Sequence, residues 1–203
     1  MPVFAFRSFL TSVRPSFLKE LMKWNQKINL TAIRTEKDII TKHFLDSLSV
    51  HPFLQKASSL LDIGAGPGFP GIPLKMVDPV LEVTLIDSVR KKIDFERHII
   101  RSLHLKGIEA IHGRVQDEEI LGRMGGRFDQ VISRAFSDLL AFLQLSYPLL
   151  RKGGVALAMK GNLQEEEMGT LSEEKAGYRL RKTVIFDLPL TPLKRTILLF
   201  EKQ

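Results

Sequence analysis

The sequence predicts an α/β fold: a mainly parallel seven-stranded sheet with helices on both faces, a C-terminal antiparallel hairpin, and helices in front of it. Three features carry this expectation. Strand-like apolar runs alternate with helical stretches from Ser59 onward. A glycine-rich turn follows the first of those runs. The tail holds two strand-like runs with no helix between them.

Phe17, Leu21, Trp24 and Ile28 recur at helical spacing, and Ile39, Ile40, Phe44 and Leu48 do so again. Asn29-Leu30-Thr31 breaks the pattern between them. Residues 1–50 are therefore expected to form a helical extension packed on a core built from 51–203, the two making one globular unit. Within 51–203, strands are expected at 60–63, 83–86, 108–112, 131–133 and 155–159. Helices are expected at 72–77, 89–103, 117–124 and 138–150, with a charged helix over 163–176. Strand–helix–strand repetition implies parallel pairing. Strands at 179–187 and 195–201, joined by the turn-like 188–193, are too closely linked to pair in parallel.

Composition narrows the function classes. The 203 residues contain no cysteine, which excludes disulfides, thiolate metal sites and thiolate nucleophiles. The five histidines are scattered without ligand spacing, so no metal is expected. No apolar run is long enough to span a bilayer, and the N-terminal ten residues lack the flanks of a signal peptide; a cytoplasmic protein is expected. Monomer is the default. The formal net charge is +7, concentrated early: Arg7, Arg14, Lys19, Lys23, Lys27 and Arg34 stand against Glu20 alone. Further basic clusters lie at Arg90-Lys91-Lys92, at Arg97 and Arg101, and at Arg179, Arg181 and Lys182. Such a balance suits a polyanionic partner or a merely basic surface, and composition leaves the two level.

The most informative stretch is Leu60-Leu-Asp-Ile-Gly-Ala-Gly-Pro-Gly-Phe-Pro-Gly71. Gly64, Gly66 and Gly68 let the backbone turn sharply and approach a ligand that a β-carbon would block. A carboxylate follows 23 residues on from Gly64, at Asp87 in Thr84-Leu-Ile-Asp-Ser88, placed to accept from both ribose hydroxyls of an adenosine. Three details favour S-adenosylmethionine over a dinucleotide. Asp62 lies inside the first strand, where dehydrogenases keep apolar residues. Pro67, Pro70 and Pro73 stiffen a loop with no pyrophosphate to cradle. The antiparallel tail is how class I (Rossmann-like) methyltransferases end, which fixes the expected fold class. A tight turn holding no ligand is the competing reading.

Absences narrow the methyl acceptor. Carbon 5 of a pyrimidine needs a thiolate. Exocyclic amines are usually served by an Asn/Asp-Pro-Pro-aromatic motif after the fourth strand, where this chain reads Ile132-Ser-Arg-Ala-Phe136. A ring nitrogen such as guanine N7 suits what remains, since its lone pair is free at neutral pH and positioning suffices. Arg134 could offer a fork to guanine N7 and O6, contact the cofactor, or form a salt bridge. Phe136 could stack on a base or pack in the core.

Together, Trp24-Asn-Gln-Lys-Ile-Asn-Leu-Thr31, His43-Phe-Leu-Asp-Ser47 and Gly64-Ala-Gly-Pro-Gly-Phe-Pro-Gly-Ile-Pro73 resemble the signature of the RsmG (GidB) family. Leu85-Ile-Asp-Ser88 with Lys91-Lys92, then Ser133-Arg-Ala135 and Lys160-Gly161, continue the resemblance along nearly the whole chain. It implies an enzyme similar to those making N7-methylguanosine in the 530-loop region of 16S ribosomal RNA, acting on that RNA or on a small-subunit particle. It also implies cofactor contacts at Gly64, Phe69, Val115, Gln116 and Arg134, which join Gly66, Gly68, Asp87 and its neighbour Ser88 in the expected cofactor site. Gln116 stands where the family commonly has Glu, so a contact there would run through the backbone. His43 and Asp46, three apart on one helical face, could simply pair on the surface, but the polar motif favours their joining Arg134 at the active site. Lys23, Lys27, Asn29 and Phe136 are the candidates for touching RNA, although Asn25, Asn29 and Thr31 also suit capping and turn roles. Two other readings remain: a methyltransferase for a small molecule or protein, and a non-catalytic ribosome-assembly factor that binds RNA.

Overall fold

A computed structural model describes residues 15–134, 136, 138–161, 174–175 and 177–203. Helix α1 (Pro15–Ile28) starts on a proline, whose fixed φ and missing N–H suit a first helical turn. Its inner face buries Phe17, Leu18 and Leu21, while Lys19, Lys23 and Lys27 form an exposed stripe at four-residue spacing. The next helical segment, α2 (residues 36–48), is α-helical over Glu36–Ile39, π-helical over Ile40–Leu45 and α-helical again over Asp46–Leu48. Thr35 caps it, accepting from the Asp38 N–H at 3.2 Å.

The sheet domain then alternates β1 (Ser59–Ile63), α3 (Gly71–Val77), β2 (Glu82–Asp87), α4 (Arg90–Ser102), β3 (Ile108–His112), α5 (Glu118–Met124), β4 (Phe128–Ser133), α6 (Leu139–Ser146) and β5 (Leu150–Lys160). The tail adds β6 (Glu174–Lys175), β7 (Tyr178–Asp187) and β8 (Lys194–Lys202). The strands form one sheet in the order β3-β2-β1-β4-β5-β8-β7-β6. β1 to β5 pair in parallel, β5 with β8 and β8 with β7 antiparallel.

All seven expected strands form, in the expected parallel and antiparallel senses. The sheet has an eighth, two-residue strand, β6, where the charged helix was expected to end; residues 163–173 and 176 of that expected helix lie outside the described residues. The helix expected over 138–150 stops at Ser146. Pro148 has no backbone N–H to donate into the helix, and Leu149 and Leu150 are buried, with Leu150 opening β5.

Side chains alternate between two apolar layers. Leu60, Ile132, Val155, Leu157 and Met159 face α1 to α4. Leu61, Val131, Ala156 and Ala158 face α5 and α6. The first layer contains an aromatic stack: the Phe69 ring lies 5.4 Å from Phe17 at 10° and 5.1 Å edge-on from Phe44. Each such ring, fully buried, contributes roughly 2–3 kcal/mol. This stack fastens α1 and α2 to the turn that follows β1.

Candidate active site

The turn between β1 and α3 has positive φ at Gly64 (70°), Gly66 (64°) and Gly68 (88°). A β-carbon at Gly64 would meet nothing within 4 Å, and one at Gly66 only the Gly64 carbonyl at 4.0 Å. The backbone therefore faces open space at the carboxyl ends of the strands, where a ligand of an α/β sheet binds. Gly68 serves packing instead, since its β-carbon would lie 2.3 Å from Ile72 Cδ1.

Asp87 closes this turn at the end of β2. Its Oδ2 accepts from the Gly66 N–H at 3.0 Å and from Lys92 Nζ at 3.3 Å, and its Oδ1 from the Val89 N–H at 2.8 Å. A carboxylate has about four acceptor positions, so one remains for a ribose hydroxyl, and a second could replace the long lysine contact. Ser88 is exposed beside it, its carbonyl 3.1 Å from His112 Nε2. Val115 is buried and Gln116 exposed in the turn after β3, where Asp117 accepts from the Arg114 N–H at 3.0 Å. Pairing of Ile63 with Ile86 and of Asp87 with His112 puts these turns side by side. Open glycines beside a carboxylate at adjacent strand ends fit an adenosyl cofactor.

Two further carboxyls lie under the loop. Asp62 is fully buried; its Oδ2 accepts from the Gly71 N–H at 2.8 Å, and Oδ1 has no partner among the described residues. Burial pushes it up to about 7. Glu96 of α4 is also fully buried with neither oxygen bonded. Burial, with Asp62 and Asp87 nearby, holds its carboxyl well above the usual range.

A cleft of ≈ 320 Å³ opens next to the loop. Helix α2 contributes Lys42, His43 and Asp46 to it. Arg134 enters from the end of β4, Met159 and Lys160 from the end of β5, and Arg195 from the start of β8; Ile33 and Gly161 complete it. Arg134 donates through Nη1 to the Lys42 carbonyl at 3.2 Å and through Nη2 to His43 Nδ1 at 2.9 Å. An arginine can only donate, so Nδ1 is the acceptor and the imidazole proton sits on Nε2, 2.9 Å from the Thr31 hydroxyl. Burial, reinforced by Arg134, pushes His43 down to about 3, so the ring is neutral at physiological pH. It stacks on Phe69 with centroids 4.7 Å apart and planes at 11°, and the Arg134 guanidinium carbon lies 5.5 Å from the same ring. Phe69 thus links cleft to loop. Its ring is occupied by this stack, and its N–H donates to the Ala65 carbonyl at 2.8 Å.

Asp46 is buried between two guanidiniums: Oδ1 accepts from Arg195 Nε at 2.8 Å and Oδ2 lies 3.7 Å from Arg134 Nη1. The helix places His43 and Asp46 on one face as expected, through a π-turn, a form common at functional sites.

The remaining candidates lie elsewhere. Asn25 braces the break after α1, accepting from the Thr31 N–H at 2.8 Å and donating to the Ile33 carbonyl at 3.2 Å. Asn29 takes a φ of 48° in that turn and is exposed. Lys23 and Lys27 stand on the exposed face of α1, with Lys23 3.6 Å from Glu20. Phe136 is partly buried and packs on Phe142, 5.8 Å away, in the layer facing α5 and α6. Sequence reasoning missed Thr31 as the partner of His43, and missed Lys42 and Arg195 altogether. The register that sets Lys160 opposite Thr196 brings Arg195 to the cleft, and a basic residue opening the last strand was its only signal. Among the described residues no cluster of metal-ligating side chains occurs, and no helix is long and apolar enough to cross a membrane.

Comparison with known proteins agrees with this geometry. The chain is 44% identical over 189 residues to the ribosomal RNA small subunit methyltransferase G of Geobacter metallireducens, covering 92% of this chain and 85% of that protein. It is 39% identical over 184 residues to the protein of the same name from Acetivibrio thermocellus, covering 90% and 76%. Among solved structures it resembles a SAM-dependent methyltransferase from Aquifex aeolicus, with TM-score 0.63 and 17% identity, over 82% of this chain and 93% of that one. It also resembles M. jannaschii TYW2 in complex with AdoMet, with TM-score 0.61 and 18% identity, over 78% and 76%. These two likenesses establish the class I methyltransferase fold. The family model described as GidB, rRNA small subunit methyltransferase G, matches residues 14–187, and the chain belongs to that family.

Proposed function

We propose that the chain transfers a methyl group from S-adenosylmethionine to guanine N7 of 16S ribosomal RNA, in the 530-loop region. The observation that carries this reading is the contact, through Phe69, between a loop open to an adenosyl group and a cleft in which His43 Nδ1 is occupied by Arg134 and Asp46 is shared by two guanidiniums. Gly64, Gly66 and Asp87 would hold the cofactor, with backbone contacts at Phe69 and at Val115-Gln116. When bound, S-adenosylmethionine supplies a sulfonium methyl; the N7 lone pair forms the new bond, and the methyl–sulfur pair returns to sulfur.

No proton moves in that step, which matches the cleft. His43 is neutral and its Nδ1 is occupied by Arg134, so it acts by position rather than by titration. Asp46 stands beside the base as positive charge builds on it. The stripe of Lys19, Lys23 and Lys27 on α1 would track the RNA backbone. The protein would act in the cytoplasm as a monomer, on the RNA or on the assembled particle.

The test is methyl incorporation from labelled S-adenosylmethionine into small-subunit RNA and particles, followed by nucleoside analysis. Label recovered as N7-methylguanosine is the expected result. Label on any other atom, or cofactor binding without incorporation, would sink the proposal.

A further inference from the structure

We infer that Arg195 is a specificity residue that reads guanine O6 in the cleft and leaves N7 free to attack. The inference rests on the reading of guanine N7 as acceptor and assigns the base contact to a different arginine from the one the sequence suggests.

The cleft offers an incoming base mostly donors. Among the described residues the cationic side chains lining it are Lys42, which pairs with Asp38 at 2.8 Å, Arg134, Lys160 and Arg195, while the carboxylate of Asp46 is already shared by two guanidiniums and His43 Nδ1 is occupied. A wall of donors suits the acceptor edge of guanine, which carries N7 and O6, and not the edge that carries N1–H and the 2-amino group. Adenine presents an amino group where guanine has O6, so the same wall rejects it.

Which donor reads that edge follows from the hydrogen bonds already made. A fork spanning N7 and O6 would bind the lone pair that must attack the methyl group, so such a contact blocks the reaction. Arg134 is also held: each of its terminal nitrogens already donates to a protein acceptor, and its plane is fixed near Phe69. Arg195 is held at one end only. Its Nε bonds Asp46 and its Nη1 bonds the Lys194 carbonyl at 3.1 Å, while Nη2 has no acceptor among the described residues. Its side chain is 18% exposed, within a cleft that also contains Ile33 and Met159. A guanidinium anchored on a carboxylate and partly withdrawn from water, beside apolar side chains that can cover a base, suits one directed bond to a carbonyl oxygen. An open phosphate contact needs none of these features.

The experiment uses full-length protein and small-subunit RNA, assembled from fragments, with guanosine or 2-aminopurine riboside at the methylated position. The analogue keeps N7 and lacks O6. Wild-type protein is expected to lose about ten- to a hundredfold in kcat/KM on the analogue. In Arg195→Lys, which keeps a charge beside Asp46 but loses the fork, that penalty should shrink to about threefold or less. Cofactor affinity should stay unchanged, and the salt dependence of RNA binding should keep its slope. Equal rates on both RNAs with wild-type protein would overturn the inference. So would an undiminished penalty in Arg195→Lys and Arg195→Ala, or a shallower salt slope with O6 discrimination intact, which assigns Arg195 to a phosphate. Failure of wild-type protein to form N7-methylguanosine on the guanosine RNA would instead overturn the underlying functional reading.

Discussion

The glycine loop and the cleft beside it touch through one phenylalanine ring, yet they are built in opposite ways. The loop is local: Gly64 to Gly71 form one turn, and Asp87 reaches Gly66 across 21 positions from a neighbouring parallel strand. The cleft is remote: Arg134 meets His43 across 91 positions and Arg195 meets Asp46 across 149. The loop is built of backbone and one carboxylate, the cleft of long charged side chains held by one another. Damage to the loop should therefore weaken cofactor binding, and damage to the cleft should weaken transfer with the cofactor still bound.

The largest effect is expected from Asp46→Ala. Removing the shared carboxylate leaves two partly buried guanidiniums facing each other, a loss of about 3 kcal/mol in stability. It also misplaces Arg134 and Arg195, so kcat/KM for RNA should fall at least about 100-fold. Cofactor affinity, measured by calorimetry, should change less than about threefold. A parallel fall in both would show that loop and cleft are one unit.

Asp87→Ala tests the other side. The loop loses the acceptor for Gly66 and Val89, and the ribose loses its own, so cofactor affinity should fall roughly 50- to 100-fold. RNA binding without cofactor should persist. Undiminished cofactor binding would show that the ribose is held elsewhere.

Reversing the α1 stripe with Lys23→Glu and Lys27→Glu should weaken RNA binding about tenfold at low salt and flatten its salt dependence, the outcome expected of phosphate-directed contacts. Cofactor affinity should not change. Equal losses on both would mean that α1 acts through folding.

The smallest effect concerns Asp62, whose carboxyl is pushed up to about 7. The native state holds that proton more tightly than the unfolded chain, so its stabilising contribution is present at low pH and is lost as pH rises towards 7. His43 has the opposite sign: pushed down to about 3, it withdraws stability as pH falls below its ordinary value of 6.5. Asp62→Asn mimics the protonated carboxyl at every pH and leaves His43 untouched. The Tm difference between the variant and wild type should therefore move in the variant's favour by a few degrees between pH 5 and pH 8. A difference independent of pH would show that Asp62 ionises without cost.

The sequence by itself determined the layered fold, the cofactor loop and Asp87, because each depends on short-range information. Alternating apolar residues must bury both faces of a strand, glycine alone takes positive φ without strain, and a carboxylate ending the second parallel strand lies next to the loop ending the first. It also set His43 and Asp46 on one face of one helix. What only the tertiary structure decided is what those two residues do. A histidine inside a helix has an ordinary pKa until burial and an arginine 91 positions away keep it neutral. The pairing of Asp46 with Arg195 depends on the antiparallel return of β8 alongside β5, and the occupied terminal nitrogens of Arg134 depend on α2 lying against the end of β4; no local spacing encodes either. The packing of Phe136 on Phe142, away from the cleft, was decided in the same way. Charge and hydrogen-bond commitments belong to pairs of groups, and in this chain those pairs form only once the sheet has closed.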